Sequence, residues 1–468
     1  MTDESVTPLS KTSLSALMQN FFTEGFIPRE LAAIDRRVSG FMKKYRVPGM
    51  SMAITRNGQL VYAKGFGVAQ KLSLWDFMTF QSAEPVDLWY RFRIASVSKP
   101  ITAVAIFKLI EEGKLSLTAK VFGPGGVFGT DFGFDTLLPG EANTLAQITV
   151  QHLLEHASGG WPNDDQDPMF VQPELTHQQL IAWALHNRVL NHNPGTIWSY
   201  SNFGFCLLGR IIERISGQPY ADYVRANVLA PCGITTMEIA GDTLDERRAG
   251  EVVYYGQPYD VTVSSGGGAP VNITVDDDPY AIPVARMDSH GGWIASAVDL
   301  VRFAVNVDNF PQPTDILSAA SIATMTTPTT ARTVDGSDPR YAKGWFLEAT
   351  TVKQDNWYHN GSLPGTLSFL LRSYNGFCWA ALMNTRAQNS NSQMVKDLEK
   401  NVMWPLLQDA KVVSQWPTHD LFPTYDDPWK SLKVVYAKKS NIGPLAPVAK
   451  KNPLGRPGPP ENTDKSAA

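Results

Sequence analysis

Phe92-Arg93-Ile94-Ala95-Ser96-Val97-Ser98-Lys99-Pro100 is the stretch on which the reading of this chain turns. Ser96 and Lys99 are three residues apart, so on a helix they share one face, one turn apart. The pattern predicts a helix over Ser96–Glu112. A start near Ser96 would set unpaired N–H groups and the positive end of the helix dipole beside its hydroxyl. Serine is a weak nucleophile until a base takes its proton. A buried lysine, its ammonium form disfavoured, can be that base. The same pair would also serve as an ordinary helix cap and a solvated lysine, so its meaning depends on what accompanies it.

Two further segments accompany it. In Asn193-Pro194-Gly195-Thr196-Ile197-Trp198-Ser199-Tyr200-Ser201-Asn202, Tyr200 and Asn202 sit on a Pro-Gly-led loop before an apolar helix predicted over Ser201–Ser216. The Tyr200 phenol is either a packed aromatic or a proton carrier whose pKa Lys99 pulls down. In Trp357-Tyr358-His359-Asn360-Gly361-Ser362-Leu363-Pro364-Gly365 the pattern reads as a strand edge, Trp357–His359, ending in a glycine turn. A substrate backbone can lie along such an edge, with His359 facing the site and the Ser362 N–H aimed at it.

Ser96 heads the only S-x-x-K of the chain, Tyr200 heads a Y-x-N placed before a helix, and H-x-G at His359 follows in order. This set resembles the serine β-lactamase and penicillin-recognising superfamily, in its class C-like branch of β-lactamases, DD-peptidases, family VIII carboxylesterases and D-amino-acid peptidases. Leu153-Leu154-Glu155-His156-Ala157-Ser158-Gly159-Gly160, the helix through Leu207-Leu208-Gly209-Arg210, and Gly291-Gly292-Trp293-Ile294-Ala295 extend the resemblance to roughly residues 30–405. It implies Ser96 as acyl-forming nucleophile, with Lys99 and Tyr200 sharing its proton and the formal base left open. It implies that Asn202 positions substrate or Lys99. The N–H groups of Ser96 and Ser362 would form the oxyanion hole, where one donor is typically worth ~10²–10³ in rate. His359, Asn360 and Gly361 would complete the substrate side. No cofactor or metal is expected.

The third motif departs from the K-T-G of β-lactamases and DD-peptidases, whose lysine pairs with a substrate carboxylate. Here it is His359-Asn360-Gly361. Histidine is mostly neutral at pH 7, so a fixed cation is lost. The expected activity is therefore a serine hydrolase on small carboxylic esters. Alternatives are an amide or D-amino-acid peptide hydrolase, a β-lactamase, an acyltransferase, or a catalytically silent binding protein on the same fold. Trp161, Trp198, Trp357 and Tyr358 either line an acyl pocket or belong to the core. His152-Leu153-Leu154-Glu155-His156 also matches the H-x-x-E-H zinc pattern, and His290-Gly291-Gly292 is a second H-x-G. No G-x-S-x-G elbow of the α/β-hydrolase type occurs.

Outward from these segments, an amphipathic helix is expected over Glu30–Arg46, then strands Met50–Ile54 and Leu60–Val68 joined by Asn57-Gly58. Further helices are expected at Val150–Ala157, His177–His186, Tyr220–Leu229, Ala297–Val307 and Gln393–Leu407, and further strands at Gly344–Glu348, Thr366–Arg372 and Phe377–Met383. Residues 123–134 and 263–290 read as loops. The order predicts an α+β fold: an antiparallel β-sheet flanked by helices, its strands drawn from both chain ends, with an inserted mostly helical domain. The expected divisions are a leader (1–29), a sheet domain (30–75 and 286–410), the insert (76–285), an extension (411–439) and a disordered basic tail (440–468). With 468 residues, 43% hydrophobic and 18% charged, the chain can bury a large core, and a net charge of −4 does not favour nucleic acid. Three cysteines do not make a disulfide framework. No secretory signal or membrane-length apolar run is read, which sets a cytoplasmic expectation. The expected partner is a small ester or amide; oligomeric state is left open.

Overall fold

The computed structural model describes residues 31–71, 83–263, 271–387, 391–408 and 416–426. It divides into two units. Ile27–Asp420 is one; Met1–Phe26 with Leu421–Ala468 is the other, of which the short helix Phe422–Asp426 is described. The expected leader and basic tail lie outside the described residues.

The larger unit is built on an antiparallel sheet. The strands, in chain order, are β1 (Gly49–Arg56), β2 (Gln59–Gln70), β3 (Glu84–Pro85), β4 (Phe92–Arg93), β5 (Glu238–Ile239), β6 (Tyr259–Val263), β7 (Val271–Val275), β8 (Trp293–Ala295), β9 (Phe346–Glu348), β10 (Asn356–Leu363), β11 (Thr366–Arg372) and β12 (Phe377–Met383). Seven of them form one sheet in the order β3-β2-β1-β12-β11-β10-β9. The β1–β2 turn is Asn57-Gly58, both at positive φ (49° and 79°), as a tight hairpin requires. β1 pairs with β12 from Met50↔Met383 to Arg56↔Phe377, so the two ends of the unit meet at mid-sheet.

Alternation along these strands decides which side chains go where. Met50, Met52 and Ile54 of β1, Leu367, Phe369 and Leu371 of β11, and Trp379, Ala381 and Met383 of β12 share one face. The helix Ala32–Tyr45 covers that face with Ile34, Val38, Phe41 and Tyr45, and the helical segment 391–408 with Met394, Leu398 and Val402. The helix Ala297–Val305 packs on the opposite face, against β1, β11 and β12.

A second sheet, β4-β8-β5, leads the chain into the Ser96 segment. The expected Ser96–Glu112 helix begins later: Ala95–Val97 is a 3₁₀ turn and the α-helix runs Ser98–Glu111. Tyr220–Val224 is α-helical but continues as a wider π turn, Arg225–Leu229. The stretch 263–290 is not loop throughout: β6 and β7 form a hairpin whose second strand is Val271–Val275. The third motif is not a strand ending in a glycine turn. β10 runs straight through it to Leu363, and the turn is Pro364-Gly365, with Gly365 at φ 66°. Gly361 stays extended; what it supplies is space, as the next section shows.

Candidate active site

The Ser96 turn is held from three sides. The Ile94 N–H donates to the Trp293 carbonyl at 2.9 Å, tying it to β8. Ala95 adopts φ 46°, a costly conformation for a residue with a side chain and one that concentrates at functional positions. Beneath lies Gly361 of β10. A Cβ there would come within 2.4 Å of both the Ile94 carbonyl and Ser368 Oγ, and 2.9 Å of Ala95 Cβ. Only a residue without a side chain lets β10 lie this close to the turn.

Lys99, on the first turn of the Ser98–Glu111 helix, is fully buried. Its ammonium donates to Ser96 Oγ at 3.1 Å, Asn202 Oδ1 at 2.8 Å and the His290 carbonyl at 3.0 Å. Its remaining surroundings are aromatic: the Nζ lies 4.7 Å from the centre of the Tyr200 ring and 5.6 Å from that of Phe205. Burial therefore drives its pKa well below the ordinary lysine value, with the Asp167 charge opposing.

Tyr200, Ser201 and Asn202 are pinned one by one. The Tyr200 carbonyl accepts the Asn163 N–H at 2.7 Å. Ser201 caps the Asn202–Ser216 helix, its Oγ accepting the Gly204 N–H at 3.0 Å, and its own N–H donates to His156 Nδ1 at 3.1 Å. The His156 ring packs on the Tyr200 ring, centres 4.3 Å apart. Asn202 Nδ2 donates to Asn163 Oδ1 and to Asp167 Oδ2, both at 2.9 Å. The Tyr200 phenol hydrogen bonds with Ser96, yet burial raises its pKa above the usual tyrosine value. That corrects the expected downward pull from Lys99: the only lowering comes from the Ser96 hydrogen bond, and desolvation of a phenolate outweighs it, so the phenol keeps its proton while Lys99 readily loses one.

On β10 the alternation sends His359, Gly361 and Leu363 inward and leaves Tyr358, Asn360 and Ser362 partly exposed. The β9 ladder pairs only Asn356–Tyr358, so beyond Tyr358 the strand turns its edge to the Ser96 turn rather than to another strand. Buried His359 sits among Tyr200, Tyr341 and Phe346, with ring centres 6.2, 6.2 and 5.2 Å away. Burial first, then the Lys99 charge, lowers its pKa to about 3, so no cation stands at this position near neutrality. Ser362 Oγ accepts from Arg386 Nη1 at 3.3 Å, and Arg386 is itself paired with buried Asp277 at 2.6 Å.

All eight sequence-derived positions thus fall on three adjoining segments around Ser96. Readings that the sequence leaves open are decided by burial and hydrogen bonding. Trp161 is 2% exposed, edge-on to Phe203, and Trp357 is 8% exposed beneath the Arg372 guanidinium; both are core. His152 Nδ1 accepts the Thr149 N–H and His156 Nδ1 the Ser201 N–H, so the H-x-x-E-H stretch spends its imidazoles on backbone. Among the described residues no group of three or more His, Cys, Asp or Glu is placed to hold a metal ion. Reading the sequence did not reveal Asn163, Asp167, the His290 carbonyl or Arg386. For Asp167 a signal existed: Asp followed by Pro168 marks a helix start, and Asp167 does cap Pro168–Val171.

The Beta-lactamase family model matches residues 34–402. The chain belongs to that family. Its members here are serine hydrolases of the β-lactamase and penicillin-binding protein kind. Penicillin-binding protein 4* of Bacillus subtilis (strain 168) is 27% identical over 338 residues, covering 70% of this chain and 66% of that protein. Protein flp of Staphylococcus aureus (strain N315) is 26% identical over 339 residues, covering 72% and 59%. The match thus leaves a third or more of these relatives without a counterpart. Among solved structures, a D-amino acid amidase from Ochrobactrum anthropi SV3 complexed with L-phenylalanine amide superposes with a TM-score of 0.59 at 22% identity, over 80% of this chain and 97% of that one. The octameric penicillin-binding protein homologue from Pyrococcus abyssi gives 0.58 at 22%, over 86% and 82%. These two share the fold. Among the described residues, no helix is long and apolar enough to cross a membrane.

Proposed function

We propose that this protein hydrolyses small carboxylic esters through a covalent acyl-enzyme on Ser96. The observation that carries the reading is the fully buried Lys99 amine, 3.1 Å from the Ser96 hydroxyl and biased towards its neutral form. Lys99 Nζ takes the proton of Ser96 Oγ as the oxygen attacks the ester carbonyl carbon. The tetrahedral oxyanion is met by the N–H groups of Ser96 and Ser362, from the 3₁₀ turn and β10. Collapse breaks the carbonyl–oxygen bond, and the leaving alkoxide takes the proton back from Lys99. The Tyr200 phenol, which keeps its own proton, steadies Ser96 Oγ by hydrogen bonding. Water then attacks the acyl group by the same route and frees Ser96.

The ester preference rests on His359. A buried neutral imidazole offers no charge to the carboxylate of a penicillin or a peptide C-terminus, and the rings of Tyr200, Tyr341 and Phe346 around it suit an uncharged group. A second reading, hydrolysis of amino-acid amides, is favoured by the fold neighbour from Ochrobactrum.

The test gives wild type and Ser96→Ala short-chain p-nitrophenyl esters, nitrocefin and a D-alanyl p-nitroanilide. Ester turnover lost in Ser96→Ala supports the proposal. Anilide turnover exceeding ester turnover moves it to the second reading. Fast nitrocefin turnover refutes the argument from His359, and an active Ser96→Ala refutes the site.

A further inference from the structure

The amide of Asn202 has two ends, and the structure fixes which end faces the lysine. Its Nδ2 has acceptors on the far side, Asn163 Oδ1 and Asp167 Oδ2, each at 2.9 Å. With both amide hydrogens directed there, Oδ1 must face Lys99, which donates to it at 2.8 Å. A flipped amide would set a donor against the lysine and a carbonyl oxygen against a carboxylate.

Of the two acceptors, Asp167 is the charged one and is completely buried. Its segment is anchored at both ends. The Asp167 carboxylate accepts the Met169 N–H at 2.9 Å, and Arg286 donates to the carbonyls of Met169, Gln172 and Leu175. The groups facing Asp167 are Lys99 and Asn202 on their helices, Tyr200 before the second helix, Asp164 on its own loop and Arg286 from the Ala285–Met287 turn. Lys99 in turn faces the imidazoles of His156, His290 and His359, all held neutral by burial.

We propose that Asp167 is a positioning residue for the reaction. It orients the Asn202 amide so that its carbonyl receives Lys99, and its negative charge, one amide away, sets the proton balance of that lysine. The inference rests on the reading of Ser96 and Lys99 given above. Burial raises the Asp167 pKa to about 6, so the carboxylate is charged at neutral pH and loses its charge in mildly acidic solution. A charged Asp167 holds the Lys99 pKa higher than burial alone would leave it. Removing that charge therefore lowers the pKa, and the neutral lysine persists to lower pH.

The variants are Asp167→Ser, which still caps Pro168–Val171 but reaches neither Asn202 nor a charge, and Asp167→Asn, which keeps the shape without the charge. Each is compared with wild type and Ser96→Ala by the pH profile of kcat/KM on a p-nitrophenyl ester, by the rate at which a fluorophosphonate labels Ser96, and by thermal melting. Asp167→Ser, which leaves the Asn202 amide without this acceptor, is expected to lose about 10²-fold in kcat/KM and labelling, the order for a misplaced catalytic group, whereas Asp167→Asn, which keeps an acceptor oxygen, should lose less than about tenfold. In both, the acid limb should move about two pH units lower, the order for opposite charges roughly 7 Å apart at an effective dielectric of ~20. An Asp167→Ser protein with wild-type rate leaves Asp167 a helix cap and overturns the proposal. A slower variant with an unmoved acid limb overturns it as well. If Asp167→Ser does not melt cooperatively, Asp167→Asn still carries the acid-limb reading, and an unmoved limb there overturns the proposal. An active Ser96→Ala sinks the underlying site instead, so the two failures are distinct.

Discussion

Gly361→Ala tests whether the spacing between β10 and the Ser96 turn carries the chemistry. The added methyl would start 2.4 Å from the Ile94 carbonyl oxygen and from Ser368 Oγ, and 2.9 Å from Ala95 Cβ. Even tight Cβ contacts rarely fall below 3.0–3.4 Å, so strand and turn must separate by about 0.6–1 Å. The Ile94 carbonyl is backbone and also accepts from Ser368 Oγ at 2.6 Å, so no flexible side-chain end absorbs the clash. Overpacking of this kind costs about 1–3 kcal/mol. The same displacement widens the gap between the Ser96 and Ser362 N–H groups, and a misplacement near 1 Å costs about 10²-fold in rate. The assay is the pre-steady-state acyl burst with a p-nitrophenyl ester, alongside a thermal melt. The expectation is acylation slowed about 10²-fold in a protein that still melts cooperatively. Acylation within threefold of wild type would falsify the claim that this close approach sets the oxyanion geometry.

Three further outcomes follow from the same site and its surroundings. Lys99→Met should fold and lose about 10²–10⁴ in acylation, the usual worth of a general base, and Lys99→Arg should not rescue it because a guanidinium stays charged; fluorophosphonate labelling measures both. Glu155 and Lys343 form a buried pair at 2.7 Å, 6% and 3% exposed, with Thr329 also donating to Glu155 at 2.9 Å, so Glu155→Ala should cost about 3–5 kcal/mol in denaturant melts. His359 has its pKa lowered to about 3, so the unfolded chain binds its proton first as pH falls from about 6.5. Stability from this group is thus full above pH 6.5 and falls towards pH 3, by about 2 kcal/mol at pH 5, while Asp167, with its raised pKa, works in the opposite sense below pH 6. Melting of wild type and His359→Gln at pH 7 and pH 5 should show a smaller acid loss in the variant.

The sheet was legible because its strands alternate. Met50-Ser51-Met52-Ala53-Ile54 and Leu367-Ser368-Phe369 each carry large apolar groups on one face, and Asn57-Gly58 marks the hairpin between β1 and β2. The motif residues were legible because each chemistry needs its side chains at fixed spacing. What escaped the sequence was set by distant packing. Gly361 reads as a turn glycine, yet its role is defined by Ile94 and Ser368, which no local pattern connects to it. The pKa of Tyr200 depends on how deeply its hydroxyl is desolvated, and that depth is made by His156, Tyr341 and Phe346 together. Asp167 sits in the polar run Asn163-Asp164-Asp165-Gln166-Asp167, where the following Pro168 marks it as a helix cap but not as a buried carboxylate.

The pairing of β1 with β12 has a temporal consequence. Met50 leaves the ribosome more than three hundred residues before its partner Met383 exists. Until then the β1–β2 hairpin carries an unpaired inner edge, and such edges recruit other strands. Contacts this far apart in sequence form late and slowly. β10 and β11 join the sheet through β12, so a nascent chain holding Ser96, Lys99 and Tyr200 still lacks the strand that seats them. Reactivity towards acylating probes should therefore arise only after residue 383 has emerged, and C-terminal truncations within the sheet should aggregate rather than hydrolyse slowly.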